Sequence, residues 1–201
     1  MTPDDAFPYP DEAQLLAGLQ ANDPQAYEQL IEQYADAVYR VAYRLLQNPQ
    51  DAEDAMQEAF LTVYLRVGEF RGQAKLSSWL YRIVTNKALD LLRRRGRKTD
   101  AATAALEDLG EDALERLPSA QEGLPEDWLE RQEVLALIEQ GLASLSPKLR
   151  AAFVLFEMEG LSMQETAEAL GISLSTAKVR VHRARQMLRD YLAAHLTPVQ
   201  E

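Results

Sequence analysis

The chain has 201 residues, of which 47% are hydrophobic and 26% charged, a composition typical of a folded protein rather than a disordered one. It contains no cysteine, which excludes disulfides and thiolate metal sites, and two histidines are too few for a convincing zinc or iron site. No apolar run approaches the roughly 20 residues of a membrane helix, and the acidic, proline-containing start is unlike a secretory leader. We therefore expect a soluble, cytoplasmic protein without metal or cofactor.

The net charge of −11 argues against a nucleic-acid binder only when it is averaged over the whole chain. Residues 71–98 contain nine basic residues and one acidic residue, and residues 174–189 contain five basic residues and no acidic residue. Between them, residues 99–130 contain ten acidic residues and one basic residue. This alternation predicts two separate basic surfaces joined by an acidic segment, and basic surfaces of this kind suit nucleic acid.

The first half of the chain is predicted to form a helical domain over residues 13–98, preceded by a disordered tail over residues 1–12. Apolar residues recur every three or four positions from Tyr27 to Leu45, which predicts a helix that ends at Asn48-Pro49. A second helix is expected from near Asp51, and a third over 78–94. Three amphipathic helices of this length are enough to form a bundle.

The second half is predicted to begin after a flexible linker over residues 99–130, where alanine, glycine, proline and acidic residues dominate. A stripe from Val134 to Leu145 predicts a helix, and Ser146-Pro147 is typical of the start of another, which extends to Glu159 and is stopped by Gly160. The predicted fold class is therefore all-α, with two small helical domains, the second over residues 131–201.

The strongest local signal lies between residues 162 and 189. Ser162 and Glu165 form a capping box that opens a short helix, Gly171 ends that helix, and Ser173 caps a longer helix reaching about Ala193. These proportions are typical of a helix-turn-helix whose second helix enters a DNA major groove.

The second helix of this motif has one apolar and one polar side. Ala177, Val181, Ala184 and Leu188 recur at helical spacing and are expected to be buried, whereas Lys178, His182, Arg185 and Arg189 lie one position further round. The alternative to DNA binding is a solvated basic face on a structural helix. The coincidence of the caps, the turn and the charge favours DNA binding.

Residues 70–82 predict a different nucleic-acid surface. A loop with cations and an amide is followed by Trp79 and Tyr81, and such loops suit unpaired bases better than a closed duplex. Arg82, Asn86 and Arg93 share one face of the following helix. Core packing is the alternative for both aromatic residues, and for Trp79 it is as good an explanation as base contact. For the cluster of arginines at 93–95, the alternative is complementation of the helix dipole.

Three segments together resemble the extracytoplasmic-function (ECF) sigma factors, which direct bacterial RNA polymerase to promoters. They are residues 51–60 (DAEDAMQEAF), Phe70-Arg71-Gly72 with residues 78–83 (SWLYRI), and the helix-turn-helix. Their order and spacing match the family over about residues 13–195.

The resemblance implies that the first domain binds the polymerase core and the downstream (−10) promoter element. The core contact is to the clamp coiled coil of the largest subunit, at positions matching Asp54, Gln57, Glu58 and Leu61. Periodicity also places Asp54, Gln57 and Glu58 on one polar face, although periodicity alone favours an ordinary solvated acidic surface. The −10 element is read as separated strand at Arg71, Gln73, Lys75, Ser77, Arg82, Asn86, Arg93 and Arg94.

The resemblance further implies that the second domain contacts the flap of the second-largest subunit and reads the upstream (−35) element as duplex. The matching positions are Ser175, Thr176, Lys178, Val179, Arg180, His182, Arg183 and Arg185, although the residue type at His182 varies within the family. The acidic linker is implied to run along the RNA path of the polymerase, and family members commonly bind an anti-sigma factor. The implied role is promoter recognition and transcription initiation in a stress or envelope response, with no catalytic site.

Two other interpretations remain open at this point. A helix-turn-helix regulator that binds duplex operators without polymerase explains residues 131–195 but leaves 51–98 unexplained. A nuclease using the acidic residues of 51–58 lacks a second acidic cluster or a general base, and Glu53 points away from the face shared by Asp54 and Glu58.

Overall fold

A computed structural model of the chain describes residues 9, 11–72, 74–96 and 132–195. The first half contains four helices: α1 (Glu12–Gln20), α2 (Pro24–Leu46), α3 (Pro49–Arg66) and α4 (Leu76–Gly96), with a short 3-10 turn (Val67–Glu69) after α3. The second half contains α5 (Gln132–Ser144), α6 (Pro147–Phe153), α7 (Met163–Leu170) and α8 (Leu174–His195). No strand occurs within these ranges, and the predicted all-α fold is confirmed.

Helices in this chain begin where a polar capping residue is followed by proline or by an acidic residue. The Asp23 and Asn48 side chains accept hydrogen bonds from the first-turn backbone N–H groups of α2 and α3, and each is followed by a proline at the first helical position. Between the two helices Gln47 adopts a left-handed conformation, with φ 54°, which reverses the chain within two residues. The predicted break at Asn48-Pro49 is therefore observed.

Helix α6 continues as a π-helical turn (Val154–Met158) rather than ending as a regular α-helix. The single helix expected from Pro147 to Glu159 thus contains two hydrogen-bonding patterns. Within the described ranges, the longest helices lack the run of apolar residues that a membrane span requires.

The expectation of a disordered tail over residues 1–12 is wrong for its last residues. Asp11 caps α1, and the backbone N–H and carbonyl of Tyr9 pair with the buried Gln29 amide at 3.0 and 2.6 Å. The carboxylate of Glu12 accepts from the Leu76 backbone N–H, at the start of α4, at 2.8 Å. Local composition gave no sign of these long-range contacts. Residues 1–8 and 10 lie outside the described residues, as do Gln73 and the linker predicted over 99–130.

The two halves of the chain share one hydrophobic core. One buried cluster contains residues of both halves. It includes Leu30 and Val41 of α2 and Leu80 and Val84 of α4, together with five residues of the second half, which are Ala151, Val154, Leu155, Leu161 and Ala169. A smaller cluster around Leu142 and Leu188 lies between α5 and α8. The second half therefore packs against the bundle of the first half in addition to having a core of its own.

Candidate nucleic-acid interface

The helix-turn-helix is built by local hydrogen bonds that its sequence anticipates. The Ser162 hydroxyl accepts from the Glu165 backbone N–H, and the Glu165 carboxylate accepts from the Ser162 backbone N–H at 2.8 Å. At the other end of α7, Gly171 has φ 64° and the Ile172 N–H donates to the Ala167 carbonyl oxygen at 3.0 Å. These caps fix the turn that sets α8 against α7.

Helix α8 buries the predicted apolar side and leaves the predicted polar side accessible. Ala177, Val181, Ala184 and Leu188 are all buried. The predicted −35 positions on the other faces are exposed or half-buried, namely Ser175, Thr176, Lys178, Val179, Arg180, His182, Arg183 and Arg185. The Ser173 hydroxyl contacts the Ser175 and Thr176 hydroxyls at 2.8 and 2.7 Å, so the start of α8 presents a connected set of polar groups.

Arg185 is held in place by the π-helical turn, which the sequence did not predict. Its guanidinium forms an ion pair with Glu157 and lies 5.5 Å from the centroid of the Phe156 ring. These two contacts orient Arg185 at the edge of the candidate duplex surface. Glu157 and Phe156 had no sequence signal, since their effect depends on a contact 28 residues along the chain.

Three of the predicted −10 residues line a cleft of about 650 Å³ beside the start of α4. Arg71, Arg82 and Asn86 line the cleft and are exposed, and its opposite wall is formed by Glu165, Glu168 and Ala169 of α7. Lys75 is exposed and Ser77 is half-buried on the loop and first turn that enter α4. The structure thus brings the predicted strand-reading residues near the predicted helix-turn-helix.

The two aromatic residues of this segment have different surroundings. Trp79 is half-buried and lines the cleft, and its ring stacks on Phe70 with centroids 4.8 Å apart. Tyr81 is 8% exposed and belongs to the core. Burial, together with the nearby Glu159 carboxylate, raises the pKa of the Tyr81 phenol. Trp79 therefore combines core packing with access to the cleft, whereas Tyr81 has a structural position.

The arginine cluster at the end of α4 points away from the core. Arg93 and Arg94 are exposed, and Arg93 pairs with Asp90 at 2.6 Å one turn earlier. Arg95 instead forms an ion pair with Asp51 at the start of α3, a contact that raises the pKa of Arg95. Arg94 is thus exposed to solvent, Arg93 is exposed but paired with Asp90, and Arg95 connects two helices.

The predicted polymerase-binding face lies on α3. Asp54, Gln57, Glu58 and Leu61 are exposed, with Leu61 57% exposed, and Glu58 pairs with Lys87 at 3.0 Å. Beside Leu61 an apolar groove of about 470 Å³ is lined by exposed side chains that include Ile31 and Tyr64. Ile31, which lies within the apolar stripe from Tyr27 to Leu45, is 47% exposed, and Tyr64 is 55% exposed. The acidic residues Asp51 and Glu58 are paired with cations, an arrangement typical of structural ion pairs.

Two parts of the chain match known protein families. Residues 30–98 match Sigma-70 region 2, and residues 135–188 match Sigma-70 region 4. The chain is 36% identical over 172 residues to the ECF RNA polymerase sigma factor SigW of Bacillus subtilis, covering 85% of this chain and 90% of SigW. The chain belongs to the ECF sigma factors. It is also 44% identical over 170 residues to SigE of Mycolicibacterium smegmatis, of which the match covers 63%, less than two thirds of that protein's length.

Solved structures show the same fold at lower sequence identity. CnrH, in its complex with the cytosolic domain of CnrY, superposes with a TM-score of 0.64 at 24% identity, over 92% of this chain and 99% of CnrH. RpoE of Bartonella quintana, in complex with the anti-sigma factor NepR, gives a TM-score of 0.61 at 24% identity, over 85% of this chain and 98% of RpoE. Both likenesses concern the arrangement of helices.

Proposed function

We propose that this sigma factor binds the RNA polymerase core through α3 and reads a promoter through two separate surfaces. The core contact is assigned to Asp54, Gln57, Glu58 and Leu61, toward the clamp coiled coil of the largest subunit, with region 4 contacting the flap of the second-largest. The exposure of all four residues beside an apolar groove supports this assignment. The factor acts as a non-catalytic initiation factor in a stress or envelope response.

The downstream element is proposed to be read as separated strand in the cleft beside α4. The observation that carries this assignment is the cleft itself, where Arg71, Arg82 and Asn86 surround the stacked Phe70 and Trp79 rings. Unpaired bases stack on aromatic rings with about 1–3 kcal/mol each, and cations at the rim attract phosphate. We extend this site to Gln73, Lys75, Ser77, Arg93 and Arg94.

The upstream element is proposed to be read as duplex by α8, with its buried face braced on α7. A basic helix whose inner side is made of small residues can lie in a major groove. The domain boundaries predicted from the sequence and the connecting role of 99–130 remain predictions. CnrH and RpoE were solved with CnrY and with the anti-sigma factor NepR. We propose an anti-sigma partner for this factor by analogy.

The strand-reading assignment is tested by separating base recognition from phosphate attraction. In run-off transcription with reconstituted holoenzyme, Asn86→Ala is expected to reduce promoter opening and discrimination between downstream sequences. Arg93→Ala with Arg94→Ala should instead weaken all promoters alike and flatten the salt dependence, because phosphate contacts release counterions. A pre-melted template should recover more activity where the substitution hinders opening than where it removes base recognition. Wild-type opening and sequence preference in Asn86→Ala would show that this face is structural.

A further inference from the structure

Helix α8 carries an outward line of side chains on the side opposite its buried face. The members of this line recur at intervals of four and three residues and are half-buried, and they are Ser175, Val179 and His182. The buried residues of α8 recur at the same intervals on the other side of the helix, beginning at Ala177. Because that side is packed inside region 4, the outward line is the part of α8 that faces the floor of a major groove.

Val179 is the aliphatic member of the outward line. Among the described residues, neither of the two hydrophobic clusters includes Val179 or has it packed against its surface. Its neighbours Ser175 and His182 carry a hydroxyl and an imidazole, which exchange hydrogen bonds with base edges, whereas a valine side chain has neither donor nor acceptor. Core packing therefore does not explain the valine at this position.

The place of Val179 along α8 puts it over base edges. The helix begins at Leu174, so Val179 lies in its second turn. In a helix-turn-helix, the N-terminal part of the second helix contacts the bases. A β-branched side chain in a helix keeps one strongly preferred χ1 rotamer, which holds the two methyl groups of Val179 in a fixed direction.

The major groove offers such a side chain one apolar partner. Every base pair presents hydrogen-bonding groups there, and thymine adds a 5-methyl group. A valine placed against a guanine oxygen or a cytosine amino group would leave that group without water and without a partner, which costs binding free energy. Against thymine, the valine and the methyl group shield each other from water, and the contact is favourable. An aliphatic side chain at this position thus selects thymine.

We propose that Val179 is a specificity-determining residue for the upstream element, where it contacts the 5-methyl group of one thymine. This inference rests on the proposed function, in which α8 reads that element as duplex. The contact involves no charge and releases no counterions. The preference for thymine should therefore stay constant as the salt concentration rises, although the overall affinity for DNA falls.

The contact is tested by removing the methyl group from the DNA. The wild-type holoenzyme first selects an upstream element from a randomised promoter library. Each thymine of that element is then replaced in turn with deoxyuridine, which lacks only the methyl group. At one position the uracil template should bind about fourfold more weakly, the effect of one methyl group shielded from water, and the ratio should be the same at low and high salt. A C·G pair at that position should weaken binding further, and 5-methylcytosine should recover part of the loss.

Substitutions test whether Val179 is the partner of that methyl group. Val179→Ala should bind the thymine and uracil templates equally, because the shortened side chain no longer reaches the methyl group. Val179→Ile keeps the aliphatic contact and should retain the preference for thymine. Gln186→Ala, at an exposed position two turns further along α8, is the matched control and should keep the wild-type ratio.

The outcomes separate this inference from the proposed function. A selected element without thymine, or equal binding of the thymine and uracil templates by the wild type at every position, would overturn the contact. An undiminished preference for thymine in Val179→Ala, or its loss in Val179→Ile or Gln186→Ala, would overturn the assignment to Val179. If the wild-type holoenzyme binds selected and scrambled upstream elements equally, the reading of the duplex by α8 fails instead.

Discussion

The Arg150 guanidinium donates a hydrogen bond to the carbonyl oxygen of Leu45, a residue 105 positions away in the other half of the chain. The same guanidinium donates to the carbonyl oxygens of Ala143 and Leu145, at 2.7 and 3.0 Å. Arg150 therefore joins the C-terminal ends of α2 and α5, where helix dipoles are negative. Burial lowers the pKa of Arg150, so these carbonyl groups supply the compensation that a buried charge requires.

Arg150→Met is expected to lower the free energy of unfolding by about 1–3 kcal/mol, because buried carbonyl groups lose their donor. Methionine keeps much of the side-chain volume and removes only the polar group. Urea denaturation followed by circular dichroism measures the change, with Gln186→Ala on the exposed side of α8 as a control expected to stay within about 0.5 kcal/mol. Equal or greater stability in Arg150→Met would mean that desolvation of the guanidinium outweighs its hydrogen bonds.

Stability should also depend on the ionisation of Glu165. Hydrogen bonds from Ser162, with a smaller effect of Lys75, lower the pKa of Glu165 from 4.5 to about 2. A carboxylate with a lowered pKa stabilises the fold fully above the pKa of the unfolded chain, and this stabilisation is lost as the pH falls toward the lower value. The stability difference between wild type and Glu165→Gln should thus be constant above about pH 5 and shrink between 4.5 and 2. Urea denaturation across this range measures it.

The control for that experiment is Glu168→Gln, which removes one exposed carboxylate from the same helix but leaves the capping box intact. Its stability difference from wild type should not reproduce the change between pH 4.5 and 2. A constant difference between Glu165→Gln and wild type across the whole range would contradict the role assigned to the Glu165 carboxylate.

Features set by neighbouring residues could be predicted from the sequence, and features set by distant contacts could not. The capping box at Ser162, the stop at Gly171 and the buried face of α8 follow from spacing and local hydrogen bonds. Helix α1 was missed because it is only nine residues long, although Asp11 provides a capping signal. Arg150 reads as an ordinary surface cation in the sequence, and only the docking of the two halves makes it buried.

The candidate site shows the same division. The polar faces of α3, α4 and α8 were predictable because helical periodicity determines which residues lie on the same face of a helix. The placement of Glu165 against Lys75 depends on residues 90 positions apart and on a contact between the two halves. Ile31 lies within the apolar stripe of α2 but is 47% exposed, because periodicity does not show which part of an apolar stripe other helices will cover.

Replacing Asp54 and Gln57 together with alanine is expected to weaken binding to the polymerase core. Helicity should be nearly unchanged, because both residues are exposed on α3 and exposed substitutions usually alter stability by less than about 0.5 kcal/mol. Fluorescence anisotropy with labelled factor and purified core measures the affinity. Glu32→Ala, also at an exposed helical position but outside the proposed face, is the charge control. Wild-type affinity in the double variant would rule out this docking face.

Arg180→Ala and Arg183→Ala are each expected to reduce upstream-element recognition by about 1–3 kcal/mol if each arginine makes a bidentate contact to a base. The measurement is holoenzyme binding to a cognate promoter and to one with a scrambled upstream element. Gln186→Ala, on the same helix, should bind both templates as wild type does. An equal loss on the two templates would mean that these arginines contact phosphate and carry no sequence preference.

Run-off transcription with purified core, with and without the factor, tests the central claim most directly. The templates are a promoter selected from genomic DNA by the holoenzyme and versions in which the upstream or the downstream element is scrambled. We predict specific transcripts only when core and factor are both present, reduced output when either element is scrambled, and partial recovery on a pre-melted downstream template. Transcript levels unaffected by the factor, together with tight binding of the factor alone to duplex promoter DNA, would contradict the account and indicate a regulator that acts without joining polymerase.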